Sequence, residues 1–568
     1  MMTPQDPHWN SPVEAPLSVE NEGEIAWTSE TDIVIVGLGG AGVAAGLQAL
    51  ENGHSVIALD RFEGGGATKA SGGVIYAGGG TSTQVEAGVE DTPENMFNYL
   101  KLETQGIIED KTLRDFCEKS APTVEWLKSH GVDLRATLWP KKTSYPAPQY
   151  FLYHSDNSLV PIYKKHAAPA ARGHRGYVPI KQGAKATNLG GSIFDPLRAS
   201  AESKGLIVQP YTEVRQLITN SEGDIIGLKA LRFKDEKTLE DYKAYRAKAQ
   251  KLFAMFPPII PGSKFFFKKA MGHLKTASQL EDQREEILIR AKKGVVLSAG
   301  GFVFNSKMLA HYAPKYTCGY PLGTDGDTGT GIRLGESVGG KADNMNRITA
   351  WRFINPPLSF ARGLIVNMDG KRFSDEMVYG ATLGVEMAEH HNGEGWLILD
   401  KKLAKKALDD VKGNKALSFQ RALAKLNIYF GAKKAKSVKG LAAIIGVNAD
   451  GLEAQVADYN KMARGEMADP FEKASEDMAE IDPGSVIGID IGLSAKLFPC
   501  PVLTLGGLTV NEDTGQVLGD NGEAIKGLYA AGRNAIGICS HNYVSGLSIA
   551  DCVYSGRRAA NAMASELA

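Results

Sequence analysis

Three glycines and an acid, Gly37, Gly39, Gly42 and Asp60, have the types and the spacing to hold a dinucleotide. They belong to DIVIVGLGGAGVAAGLQALENGHSVIALD, residues 32–60. An apolar, β-branched run, Asp32–Val36, enters a G-x-G-x-x-G, and a second such run ends at Asp60. Gly37 permits the tight turn. Gly39 lets the backbone approach a pyrophosphate, and Gly42 lets helix and strand pack closely. Gly40 and Ala41 open the helix, whose free N–H groups and partial positive charge favour a phosphate. Asp60 stands at the distance expected for a ribose hydroxyl, with Arg61 beside it. A glycine-rich turn without a ligand would need neither the second strand nor the acid.

The next stretch, EGGGATKASGGVIYAGGG at residues 63–80, chooses the dinucleotide. A nicotinamide dehydrogenase has no usual need of such a loop directly after its second strand. A flavin does, because its ring system must lie against backbone with no side chain between. Gly66, Ala67, Gly72 and Gly73 offer that bare backbone, and the hydroxyls of Thr68 and Ser71 can bond the ring or the phosphates. FAD is therefore the expected cofactor. The apolar Val74–Tyr76 argues for burial and against a flexible linker.

These residues need a sheet to carry them. Residues 294–302, GVVLSAGGF, read as a buried strand ending in a glycine turn at Ala299, Gly300 and Gly301. Leu206–Val208 and Thr212–Val214 read as a strand and its neighbour near the adenine, with Val214 against the cofactor. A last strand runs from Gly527 to a turn at Gly532, and the chain returns to the flavin there. The expected fold class is α/β, with a Rossmann-type FAD domain that is discontinuous, residues 30–305 and 493–568. Residues 306–492 then form an inserted substrate domain, and ligand clefts favour such junctions. Residues 1–29 read as a loose N-terminal arm. Residues 236–290 fit neither domain. Within them, 251–271 interleaves apolar anchors with lysines, in the manner of a membrane-surface element. An oligomer contact and internal packing are the alternatives there.

Composition excludes several classes. The chain of 568 residues carries a net charge of −1, so no field draws it to nucleic acid. Its five cysteines are scattered without a C-x-x-C, so neither a disulfide framework nor a metal site is expected. No signal peptide and no run long enough to span a membrane is evident. The expected location is the cytoplasm, with peripheral contact to the inner face of the membrane through residues 251–271.

Most of residues 30–568, outside the insertion, resembles the flavoprotein family of succinate dehydrogenase, fumarate reductase and 3-ketosteroid dehydrogenases. The motifs that carry the likeness are the fingerprint at 37–42, the loop at 64–80, GIRLG at 331–335, VNMDGKRFSDE at 366–376, GGL at 506–508 and the block from Gly527 to Arg558. The resemblance implies a Rossmann-type FAD domain with a smaller, α+β capping catalytic domain. The fumarate-reducing branch clamps its dicarboxylate with cations that are missing here. Cys539 replaces its His, Tyr543 an Arg, and Gly380 its proton-donating Arg. Tyr543-Val544-Ser545-Gly546 is instead similar to the ketosteroid branch that desaturates ring A at C4–C5. The C1–C2 enzymes, a reductase of another activated alkene and an electron-transfer flavin subunit are the alternatives.

Under that resemblance the substrate is a steroid ketone, and an unspecified electron acceptor reoxidises the cofactor. Desaturation removes a proton beside the ketone and a hydride from the next carbon. The protein must stabilise an enolate-like oxygen and accept the proton. Tyr320, Tyr543 and Ser545 form the expected hydroxyl set, and Gly546 offers a backbone amide at the start of a helix that includes Leu547 and Ser548. Which hydroxyl is the base stays open. A tyrosine base would need its pKa lowered from about 10.

Overall fold

The computed structural model describes residues 12–179, 189–255 and 263–565. Its centre is a nine-stranded sheet. The strands Ser29–Val36, Val56–Leu59 and Ile207–Gln209 lie parallel, and Ser29–Val36 also pairs in parallel with the long strand Arg284–Leu297. The C-terminal part of that long strand takes Ala524–Ala530 on its other side, again in parallel. Parallel strands of this kind are buried on both faces, which the unbroken Val/Ile/Leu runs at 33–36 and 295–297 reflect. Their C-terminal ends come together, which is where ligands bind in open α/β sheets.

The helix Gly40–Glu51 follows the first strand. Its small residues permit two close approaches. A Cβ on Gly42 would stand 2.1 Å from the Gly37 carbonyl oxygen, and one on Gly556 would stand 2.4 Å from that of Ala41. So the C-terminal helix, Leu547–Ser565, packs directly on the fingerprint helix.

Three expectations about organisation need correction. Residues 12–29 are docked, not loose: Val13 is buried in the core, and Leu17–Ser18 pair in parallel with Ile218–Thr219 at the sheet edge. Residues 1–11 lie outside the described part. The boundary at 306 is also too early. The helix Thr330–Ser337 packs on the strands Glu213–Thr219 and Arg284–Leu297, with Ile332 and Leu334 in their core. The capping unit proper is built around a separate sheet of Leu364–Val366, Trp396–Asp400, Lys433–Ala435 and Val486–Asp490. Finally, the insertion is a helical hairpin, Glu236–Met255 and Ser263–Glu281, between two antiparallel strands. It ends before 290, because residues 284–290 belong to the long strand.

The capping unit is tied down by a buried ion cluster. Arg372 donates two hydrogen bonds of 2.8 Å to Glu376, and Lys473 donates one of 2.7 Å. Arg372 also pairs with Asp469. Burial opposes the Glu376 charge, but the two cations hold its pKa below the ordinary value. Removing the carboxylate would strand Arg372 and Lys473 in the interior. Glu376→Ala should therefore cost about 3–5 kcal/mol of stability, read as a lowered urea midpoint.

Candidate active site

One large cavity, about 1240 Å³, runs from the glycine turn at the strand ends to a cluster of aromatic hydroxyls beneath the capping unit. At its first end the wall is backbone. Gly39 faces it with no atom within 4 Å of where a Cβ would stand, and a Cβ on Gly66 would meet only the Gly39 Cα, at 3.7 Å. The Thr68 hydroxyl accepts the Gly40 amide hydrogen at 3.1 Å, which ties the two glycine loops together. This bare cradle at a helix N-terminus suits a pyrophosphate. Asp60 lies on the same wall, and its carboxylate accepts the Leu38 and Phe62 amides at 2.9 and 2.8 Å. Burial raises its pKa against those bonds. Arg61 lies beside it and pairs with Glu213 at 3.3 Å.

Of the other expected cofactor residues, Gly37, Gly40, Ala41, Ala67, Ser71, Gly72, Val214, Ala299, Gly300, Gly532 and Ser548 also line the cavity. Gly42, Gly73, Gly301 and Leu547 stand behind its wall. A Cβ would collide at 2.5 Å with the Leu189 carbonyl oxygen from Gly73 and at 2.2 Å with the Thr504 hydroxyl from Gly301. These glycines shape the wall by letting backbone pack. One contributor was not expected. The first hairpin helix lines the cavity with Lys243, Arg246 and Gln250, on the side of Asp60 and Phe62. Arg246 stacks 4.1 Å over the Phe62 ring and bonds Asp325.

At the second end, Tyr543, Ser545 and Gly546 meet. Gly546 has φ +89, and a Cβ there would stand 2.6 Å from the Tyr76 nitrogen, so the turn into the C-terminal helix admits only glycine. Ser545 is held by its own amide, which donates to the Ser155 carbonyl at 3.1 Å, and its hydroxyl shares a 2.9 Å bond with that of Tyr153. Tyr543 stacks on Trp351 with ring centroids 4.7 Å apart, and Tyr379 lies 6.4 Å from Tyr543. Tyr379 also lies close enough to Ser545 for the two hydroxyls to influence one another.

Tyr320 is placed differently from the expectation. It lines the same cavity and is 61% exposed, in a short strand paired with Pro501–Val502. The buried cluster instead holds Tyr379 and Tyr153, which sequence reasoning missed. The available signal for Tyr379 was its place directly before Gly380. Tyr153 carries no motif. Burial pushes the pKa values of Tyr543, Tyr379 and Tyr153 above the ordinary value, although the Gly546 amide and the Ser545 hydroxyl act in the other direction. The phenols are held neutral, as hydrogen-bond donors.

The missing cations have structural counterparts. A Cβ on Gly380 would stand 2.5 Å from the Phe353 ring and 2.9 Å from the Arg352 carbonyl oxygen, so no arginine fits there. Cys539 is buried against Asp551 at 3.6 Å. Among the described residues there is no cluster of His, Cys, Asp or Glu that could hold a metal.

A Rossmann sheet, a glycine cradle and a continuous cavity define an FAD-dependent flavoprotein, and the chain belongs to the family described as "FAD binding domain", which matches residues 32–548. Within it, the chain is 36% identical to the 3-oxo-5-alpha-steroid 4-dehydrogenase of Comamonas testosteroni, over 92% of this chain and 96% of that one. It is 25% identical to a 3-oxosteroid 1-dehydrogenase of Mycobacterium tuberculosis, over 90% and 94%. Its fold matches that of the 3-ketosteroid-Δ4-(5α)-dehydrogenase from Rhodococcus jostii in complex with 4-androstene-3,17-dione, with a TM-score of 0.79, 27% identity and coverage of 97% and 100%.

The cradle yields a direct test. Gly39 has φ −91, a conformation that any residue adopts, and its missing side chain faces open cavity. Gly39→Leu should fold with the melting temperature of the FAD-free wild-type protein yet purify colourless. Retained flavin absorbance would show that the pyrophosphate lies elsewhere.

Proposed function

We propose that the protein is an FAD-dependent 3-ketosteroid dehydrogenase that introduces the C4–C5 double bond into ring A of 3-oxo-5α-steroids. The observation that carries this reading is the uncharged hydroxyl cluster at the far end of the cofactor cavity. The side chains that form this end, Trp351, Phe353, Tyr379, Phe498, Tyr543 and Ser545, bear no charge. They suit a flat apolar ligand with one carbonyl and give a dicarboxylate nothing to bind. Both Δ4 relatives bear this activity in their names.

Bound FAD supplies the hydride acceptor. The chain does the rest. The Tyr543 hydroxyl and the Gly546 amide lie together and can donate to the C3 oxygen as negative charge develops on it. The Ser545 hydroxyl, 2.9 Å from that of Tyr153, takes the C4 proton as it gives its own to Tyr153, which passes one on in turn until a proton leaves to solvent water, so every hydroxyl ends neutral. This relay needs no ionised phenol, in accord with the raised tyrosine pKa values. The hydride leaves from C5, and the aromatic walls keep water from the enolate-like oxygen.

In anaerobic mixing, a saturated 3-oxo-5α-steroid should bleach the flavin and yield the Δ4 product. Tyr543→Phe, Ser545→Ala and Tyr379→Phe should each slow bleaching on the order of 10²–10³-fold. Tyr320→Phe should change it less, because Tyr320 is 61% exposed and stands outside the buried cluster. Product with a C1–C2 double bond would move the enzyme to the other ketosteroid branch.

The hairpin is the candidate for membrane contact. The stretch singled out in the sequence, 251–271, lies in part outside the described residues, but beyond that gap Phe265, Phe267 and Met271 are 70%, 53% and 47% exposed. Lys268 and Lys269 stand exposed among them. Apolar anchors beside cations favour an anionic lipid surface. No helix among the described residues is long and apolar enough to cross a membrane. The protein should co-sediment with anionic vesicles, and Phe265→Glu with Phe267→Glu should abolish this with FAD retained. Wild-type protein that stays in the supernatant would sink the idea.

A further inference from the structure

We propose that Glu103, at the end of the helix Pro93–Thr104, is a positioning residue that sets the placement of Tyr379 and Tyr543 through two asparagine side chains. The inference rests on the reading of those tyrosines as the active hydroxyls. Glu103 is 1% exposed and forms no ion pair among the described residues. A lone carboxylate in the interior is costly unless hydrogen bonds satisfy it. Three donors do so: the Tyr99 hydroxyl at 2.5 Å, Asn157 Nδ2 at 3.0 Å and Asn542 Nδ2 at 2.6 Å.

The two asparagines reach opposite sides of the site. Asn157 Oδ1 accepts the Tyr379 amide hydrogen at 2.6 Å, and Asn542 Oδ1 accepts that of Tyr543 at 2.9 Å. An ionised carboxylate only accepts, so it compels both side-chain amides to present nitrogen to it and oxygen to the tyrosines. Rotating either amide would set oxygen against carboxylate and NH₂ against a backbone N–H. Asn157 Nδ2 also donates to the Thr382 hydroxyl at 3.1 Å, within the capping helix that Tyr379 begins. The Glu103 backbone carbonyl meets His541 Nδ1 at 3.1 Å. One acceptor thus joins the FAD-domain helix, the segment 153–157 that holds Ser545, the capping unit and the C-terminal loop. Burial raises the Glu103 pKa, and the bonds from Tyr99, Asn157 and Asn542 oppose that rise.

Glu103→Gln conserves shape but places an NH₂ group among donors, so one tyrosine must lose its acceptor or shift. In the FAD-loaded enzyme, E103Q should lower the limiting rate of flavin reduction by 3-oxo-5α-steroid on the order of 10–100-fold, as expected for misplacement of about 1 Å. The steroid Kd, read from the flavin spectrum, should change less than about threefold if binding is uniform. E103Q/N542D restores donor opposite acceptor and should recover most of the rate, whereas N542D alone, which opposes two carboxylates, should not. A rate within about twofold of wild type in E103Q would overturn the proposal. So would a slow E103Q that E103Q/N542D fails to rescue, since that marks loss of packing alone. Crystal structures of wild type and E103Q read the placement without any substrate. Unmoved Tyr379 and Tyr543 would refute the role of Glu103 even where the steroid reading holds. Moved tyrosines in an enzyme that no 3-ketosteroid reduces would support it and refute the steroid reading alone.

Discussion

The distance from cofactor cradle to hydroxyl cluster is set by a contact between two helices that lack side chains at the point of contact. Gly556 lies on the Ala41 carbonyl, and Gly42 on that of Gly37. The fingerprint helix is therefore clamped between its own strand and the C-terminal helix. That second helix starts at Leu547, directly after Tyr543, Ser545 and Gly546. Seating it on the fingerprint helix places the hydroxyls relative to the cradle. Any Cβ added at Gly42 or Gly556 would push the two ends of the cavity apart, and interiors this dense do not absorb such a change locally.

The second constraint is electrostatic. Charge is abundant near the site but kept out of its far end. Arg372 and Lys473 are neutralised by Glu376 and Asp469 inside the capping unit, and Arg172 pairs with Asp91 at 2.8 Å and lies 3.7 Å from Asp156. What remains at the reacting end is a set of neutral hydroxyls whose ionisation burial suppresses. In such a low-dielectric pocket a fixed O–H dipole acts on a developing oxyanion more strongly than it does in water. A cation there would stabilise the same charge but would also bind carboxylates.

The parts of this arrangement that were legible in the sequence are those governed by backbone over short range. The cradle at Gly37–Gly42, the loop at 64–80 and the turn at Gly546 announce themselves because only glycine meets their steric demand. The motif Tyr543–Ser545 was legible because it directly precedes that turn. Tyr379 and Tyr153 were not, since each joins the cluster only when the capping unit and the segment 152–157 fold over the C-terminal loop. Tyr320 was expected for its neighbourhood in sequence; it lines the same cavity from a two-residue strand but is 61% exposed, outside the buried cluster. The docked arm was hidden for a related reason: a strand of two residues, Leu17–Ser18, leaves no periodicity to read.

Gly380 shows how specificity can rest on an absence. The sequence marks it as a glycine where a dicarboxylate reductase carries an arginine. The structure explains why the exchange is not a matter of one residue. The Phe353 ring and the Arg352 carbonyl occupy the space that any side chain at 380 would enter. Phe353 in turn packs on Tyr379, with ring centroids 5.6 Å apart, and on Trp351, which stacks on Tyr543. The ring that excludes the arginine is thus part of the aromatic wall that holds both Tyr379 and Tyr543. Introducing a side chain at 380 would therefore disturb the packing of four aromatic rings, and the exclusion of an arginine there is distributed through that packing rather than set by one residue.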